Sequence, residues 1–274
     1  MLEHIENVKG KIRESATFPK GDILPIGSGI KEKNPMTLIL GLENGKEAIL
    51  AADSKLSKSN DGGGMYTQRF DKLRLVNKGN WIIGAANSAI GYDLIEQMED
   101  RGERFDPDIH VGAHKYAART NELYLAFGYR GMPSFLLAGA SDHDAAIYGW
   151  NLAPKDEDGG FVGTRFGGAV KCMRQEAIGA KHHGALYFSY AFHSPDLATA
   201  QRIVLAHLCV SEAAKQDPRC GPPVQVGIIR PGKKARIFTA EELVEVQSRS
   251  GEIAAEIEKL ILASSPKIAN LDVD

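Results

Sequence analysis

The chain has few cysteines, no long apolar run and no excess of charge of either sign, and each shortage removes a class of function. Cys172, Cys209 and Cys220 are the only 3 cysteines in 274 residues, an odd number without metal-ligand spacing. They form neither a disulfide framework nor a zinc site, and they suit a reducing, cytoplasmic setting. Apolar stretches such as Ala185-Leu186-Tyr187-Phe188 fall far short of the ~20 residues that a membrane-spanning helix needs. The opening Met1-Leu2-Glu3-His4-Ile5-Glu6 is too charged for a signal peptide. With Lys+Arg 33 against Asp+Glu 35, the formal charge of -2 recruits neither nucleic acid nor an anionic membrane. What remains, 43% apolar and 25% charged, is the composition of an ordinary globular protein long enough to bury a core.

The most informative stretch runs from Met36 to Lys55. Two apolar runs, Leu38 to Leu42 and Ala48 to Ala52, flank Asn44-Gly45, the strongest short-range signal for a β-hairpin. An antiparallel hairpin returns its second end to its first, so Asp53 and Lys55 belong near Thr37. A hydroxyl, a carboxylate and an ammonium at one end of a sheet are the parts of an activated nucleophile.

A second hairpin follows, with Lys72 to Val76 and Trp81 to Ala86 joined by Asn77-Lys78-Gly79-Asn80. Between the two hairpins Ser57 to Gly64 reads as a polar linker, because no Gly-Lys-Ser/Thr accompanies Gly62-Gly63-Gly64. Helical spacing predicts one helix from Ser88 to Arg101 and another from Asp106-Pro107 to about Leu125. Strands are predicted at Ser134 to Gly139 and Ala145 to Trp150, and a helix from Phe166 to Ile178. His182 to Phe192 carries no decisive period, and His182-His183 reads as a solvated loop. Ser194-Pro195-Asp196 reads as a helix start, with Leu197, Ala200, Val204, His207, Leu208 and Ser211 on one face. Strands at Pro223 to Ile229 and Ala235 to Phe238 precede a last helix capped by Thr239 and broken near Ser250-Gly251. His110 and His114 stand four apart on a helix, but no third ligand accompanies them. Strands in two groups alternating with helix pairs bury themselves as two stacked sheets covered on both sides, an α+β arrangement.

Leu50-Ala51-Ala52-Asp53-Ser54-Lys55 resembles the acid-bearing segment of the proteasome β-subunit family, N-terminal-nucleophile hydrolases whose first residue after processing is a threonine. Thr37 and Asp53 stand sixteen positions apart, the spacing of nucleophile and acid in that family. Aligning on Asn44-Gly45 instead moves the nucleophile position to Met36 or Pro35. The resemblance implies a four-layer αββα sandwich over about residues 36–238. Residues 1–35 are then a tail or a propeptide, or translation starts at Met36, and 239–274 form a C-terminal helical extension. Residues 1–35 lack the Tyr-Asp-Arg and Pro-Asp-Gly-Arg segments of the family's α-type branch.

Residue by residue, the resemblance implies that Asp53 is the first acid and that Lys55 is the base that follows it. Asp71-Lys72-Leu73 is similar to the segment whose lysine touches the nucleophile oxygen. Asp217-Pro218-Arg219-Cys220-Gly221 is similar to an Asp-x-x-Ser-Gly turn, with Cys220 in place of the serine. Val162-Gly163-Thr164 aligns with a segment bearing another supporting hydroxyl, here Thr164. The oxyanion donor corresponds to a backbone N–H of Asn87 or Ser88. The activity so implied is threonine-dependent cleavage of peptide or other amide bonds, without metal or cofactor, on a peptide or protein substrate within a homo-oligomeric ring. Met36 stands where self-processing precursors carry glycine, and this departure favours the alternative of a catalytically silent subunit with the same fold.

Overall fold

The computed structural model describes residues 37–59, 65–153, 168–179, 182–217 and 220–263. The Met36 to Lys55 stretch forms the expected hairpin. β1 (Leu38–Glu43) pairs with β2 (Ala48–Asp53), Ile39 opposite Ala52 and Glu43 opposite Ala48. Asn44 makes the turn by accepting the N–H groups of Lys46 and Glu47 at 3.1 and 3.0 Å on its side-chain oxygen, while Gly45 takes φ 78°.

β3 (Lys55–Ser59) and β4 (Met65–Arg69) form a small separate ribbon. β5 (Leu73–Val76) and β6 (Trp81–Ala86) lead into α1 (Ile90–Asp100) and α2 (Ile109–Phe127), followed by β7 (Ser134–Ala140) and β8 (Ala145–Asn151). After β9 (Val170–Lys171) and β10 (Gln175–Gly179) come α3 (His182–Phe192), α4 (Thr199–Lys215), β11 (Val224–Ile229), β12 (Arg236–Ile237) and α5 (Val244–Ala263).

Two five-stranded antiparallel sheets result, in the orders β10-β1-β2-β11-β12 and β5-β6-β7-β8-β9. Alternation along β1 explains the layering. Ile39 joins Leu50, Ile82, Leu136 and Ile147 between the sheets, whereas Leu38, Leu40 and Leu42 meet Ala206, Cys209 and Val210 of α4 on the outside. On the far side Trp81, Ile83 and Leu137 pack under Ile95, Ala113 and Tyr116 of α1 and α2. The order is therefore helices, sheet, sheet, helices. Because both faces of each sheet are covered, the strands read as continuous apolar runs. Truncating one of these leucines to alanine costs ~2–5 kcal/mol, which anchors the strand ends that carry the site.

Several expectations are corrected. Val170–Lys171 and Gln175–Gly179 form strands and not a helix: the first pairs with β8, and the second fills the open edge of β1, where Leu42 to Leu38 pair in register with Gln175 to Gly179. Part of the expected linker, 57–59, belongs to β3; Gly62 to Gly64 lie outside the described residues. The backbone at His182-His183 is helical. α4 begins at Thr199, because Ser194 closes a turn instead and accepts the Leu197 N–H on its carbonyl at 3.2 Å. The face of Leu197, Ala200, Val204 and Leu208 turns away from the sheet and towards α5, while Ala206, Cys209 and Ala213 meet the sheet side. Thr239 and Glu242 exchange bonds at 2.9 and 3.4 Å across the turn that precedes α5, so Thr239 does not itself cap the helix, which begins at Val244 and runs unbroken through Ser250-Gly251. Among the described residues no helix is long and apolar enough to cross a membrane.

Candidate active site

The return of β2 to the start of β1 brings Asp53 beneath the first residue of the sheet. Its carboxylate is fully buried and makes three bonds. Oδ1 accepts the Leu38 N–H at 2.8 Å and lies 2.7 Å from Lys72 Nζ, while Oδ2 accepts the Gly221 N–H at 3.2 Å. One side chain thus ties the start of β1, the segment before β5 and the turn after α4. Thr37, the residue before Leu38, is buried at this junction.

Lys72 is held from its backbone side by a residue that the sequence reading missed. Gln225, on β11, accepts the N–H groups of Lys72 and Leu73 on Oε1 at 2.7 and 3.2 Å, and donates from Nε2 to Asp71 Oδ1 at 2.6 Å. A glutamine at a buried position of an apolar strand was the available signal. Burial pushes the Lys72 ammonium below its usual pKa; the adjacent Asp53 carboxylate pulls the other way and only partly offsets it. An ammonium poised in this way stabilises a nearby alkoxide and gives up its proton more easily than a solvated lysine.

On the other flank, Gly179 pairs with Leu38 and takes φ 94°. A Cβ at Gly179 would fall 1.7 Å from the Thr37 carbonyl oxygen, so only glycine fits. Tyr92, in the first turn of α1, was also missed, since its spacing marks it only as a core residue. Its hydroxyl donates to the Ala85 carbonyl at 2.6 Å and lies 3.3 Å from the Lys72 carbonyl.

The remaining candidates fall around this centre. Asp217 and Cys220 are buried in the turn after α4, where the Cys220 N–H donates to the Asp217 carbonyl at 2.9 Å. The Gly221 carbonyl of the same turn accepts the Ser54 N–H at 3.2 Å. Lys55 leans on that turn, its Cδ 3.2 Å from where a Gly221 Cβ would stand. Thr164 lies outside the described residues. After β6, Asn87 takes φ 68° and donates from Nδ2 to Ser134 Oγ at 2.8 Å, and Ser88 Oγ accepts the Ile90 N–H at 3.3 Å. A cleft of about 670 Å³ opens beside Gly179 and Asn87, lined also by Ser134, Trp150, Met173 and Tyr190.

Away from the site, His110 is engaged as part of a chain of side chains. Its Nε2 lies 2.6 Å from Asp144 Oδ1 and its Nδ1 2.9 Å from Tyr148 Oη. Among the described residues no three or more His, Cys, Asp and Glu side chains converge as a metal-binding group.

No protein-family model and no curated protein match the chain. Solved structures do. One is a Gly-1 mutant of Anbu from Hyphomicrobium sp. strain MC1, which superposes with a TM-score of 0.60 at 12% sequence identity, covering 86% of this chain and 100% of that one. The fold is proteasome-like. Two antiparallel sheets between helix layers are what the resemblance of the Asp53 segment implies, and at this identity the likeness extends to the fold alone.

Proposed function

We propose that the chain is an N-terminal threonine hydrolase that cleaves amide bonds of peptides or proteins. The observation that carries the reading is the Asp53 carboxylate, which holds the Leu38 N–H and the Lys72 ammonium on one oxygen and so places a buried cation beside residue 37. In this reading the chain is cut before Thr37. The freed α-amine takes the hydroxyl proton, directly or through water, as Thr37 Oγ1 attacks the carbonyl. Lys72 stabilises the developing alkoxide, and Asp53 and Asp217 orient the charged groups. A backbone N–H of Asn87 or Ser88 meets the oxyanion, and water then releases the acyl group. The cleft beside Gly179 supports a peptide substrate by its position and size. Assembly into a ring is supported by α3, whose outer face exposes Tyr187, Tyr190 and Phe192.

A catalytically silent subunit is the second reading, favoured by Met36 before Thr37. While that bond is intact residue 37 has a peptide N–H and no amine. The intact mass of the protein from its native host, followed by reaction with a covalent threonine-directed inhibitor, separates the two. A species beginning at Thr37 that takes up the inhibitor there supports the hydrolase. A stable chain in which the Met36–Thr37 bond persists, unlabelled, leaves the silent subunit.

A further inference from the structure

β10 is the edge strand of its sheet, and the register with β1 shows which of its backbone groups face outward. Leu42 opposes Gln175, so one step on Glu43 opposes Arg174, and there the Glu43 N–H donates to the Arg174 carbonyl at 2.7 Å. Opposed residues of antiparallel strands alternate between bonded and unbonded pairs. Glu176 and Ile178 therefore bond to β1, while the N–H groups and carbonyls of Gln175 and Ala177 point away from it. Both outward N–H groups are closed locally. That of Gln175 donates to the Met173 carbonyl at 2.8 Å within a tight turn, and that of Ala177 donates to the Glu176 carboxylate at 3.1 Å. The second cap is a flexible side chain, which can swing aside where a turn of backbone cannot.

Every residue of β10 lines the cleft of about 670 Å³, and the strand ends at Gly179, against the Thr37 carbonyl. We propose that the substrate adds to this edge as an extended strand, its carbonyl taking the Ala177 N–H from Glu176 and its N–H donating to the Ala177 carbonyl. The proposal deepens the hydrolase reading above and, in making the peptide a substrate, rests on it. In such strand addition the main chain supplies affinity and alternate side chains supply specificity. Ile178 turns to the space between the sheets and Ala177 to the helices, so successive substrate side chains meet Leu136 on one side and Leu186 and Tyr190 of α3 on the other. The class favoured is thus an extended peptide with apolar side chains on both faces, laid along β10 towards residue 37. Until it arrives, the Glu176 carboxylate guards the edge against other strands.

The probe is a fluorescein-labelled heptapeptide of alternating leucine and threonine, its anisotropy read on the full chain carrying Thr37→Ala so that nothing is cleaved. N-methylation of the peptide at alternate residues, those that pair, is expected to weaken binding about tenfold, and at the intervening residues by less than about twofold. Ala177→Pro removes an N–H that β1 does not use, at an edge position that tolerates proline, and should weaken binding at least as much. Glu176→Ala leaves the Ala177 N–H without its cap and should tighten binding about fivefold. Circular dichroism checks that the variants fold, and the methylation pattern needs no change to β10. No binding of the unmethylated probe, an even response along the peptide, or an Ala177→Pro affinity within about twofold of the parent overturns the proposal. So does binding that appears only as a dimer of the chain dissociates, which assigns the edge to a second copy. A wild type that is never labelled by a threonine-directed inhibitor, beside an alternating methylation pattern, overturns the hydrolase reading and not the strand pairing.

Discussion

Lys72 Nζ lies 2.7 Å from Asp53 Oδ1, with both side chains fully buried. Taking two charges out of water costs several kcal/mol per ion, and close contact together with the N–H groups of Leu38 and Gly221 offsets that cost. Removing one partner is therefore worse than removing both. Lys72→Met should lower the free energy of unfolding by ~3–5 kcal/mol, whereas the double variant Asp53→Asn with Lys72→Met should lose much less than the two single losses summed. Urea unfolding of the four proteins checks this, and simple additivity would contradict a coupled buried pair.

The same pair sets an alkaline dependence of stability. Burial, against the pull of Asp53, depresses the Lys72 pKa in the folded chain below the unfolded 10.5. Between these two values the unfolded chain binds more protons, so stability rises with pH across that window and is lost again as pH falls through the folded value. Lys72→Met has no such group. The difference in unfolding free energy between wild type and Lys72→Met, followed from pH 7 up to 10.5, should grow in favour of the wild type. A flat difference would mean that Lys72 titrates alike in both states.

Gly179 and Gly45 both have positive φ, at 94° and 78°, but only Gly179 faces a neighbour. Gly45→Ala meets nothing within 4 Å and should cost only the local backbone strain, ~1–2 kcal/mol. Gly179→Ala adds a carbon 1.7 Å from the Thr37 carbonyl and must move residue 37 or the end of β10. Inhibitor labelling should survive the first change and disappear with the second, in proteins matched for helix content by circular dichroism.

The first hairpin was legible because its turn chemistry is local: Asn44 and Gly45 do by themselves what the turn requires. Asp53, Lys72 and Asp217 could be nominated from short segments that resemble a family pattern, although nothing in their spacing shows that Asp53 meets Lys72. Residues 175–179 were misread because a short, mixed apolar run has no decisive period, and the open edge of β1 decided its conformation. Gln225 and Tyr92 escaped notice for another reason. Their roles lie in bonds to Asp71, Lys72 and Ala85, made outside the strand or helix that carries each, while locally each is an ordinary strand or helix residue. Ser250-Gly251 looked like a helix break because its compensating partner, His207, sits on another helix.

That partner makes the docking of α5 sensitive to mild acid. His207 Nδ1 lies 2.8 Å from Ser250 Oγ on α5 and 3.3 Å from Ser211 Oγ on α4, and burial depresses its pKa below 6.5. Neutral His207 thus contributes stability that is fully present above pH 6.5 and is lost as pH falls towards the folded value. The charged groups around the two cavities beside it are Arg69, Asp71 and Arg74 on one side and Glu212, Lys215 and Asp217 on the other. Hydrogen exchange along α5 should therefore accelerate between pH 7 and pH 5 once corrected for the intrinsic rate, with β1 and β2 little changed. His207→Gln should remove that acceleration. Ser250→Ala should weaken protection of α5 at every pH, by ~1 kcal/mol, while leaving the titration of His207 in place. Equal pH dependence in wild type and His207→Gln would assign the effect to the carboxylates and not to the imidazole.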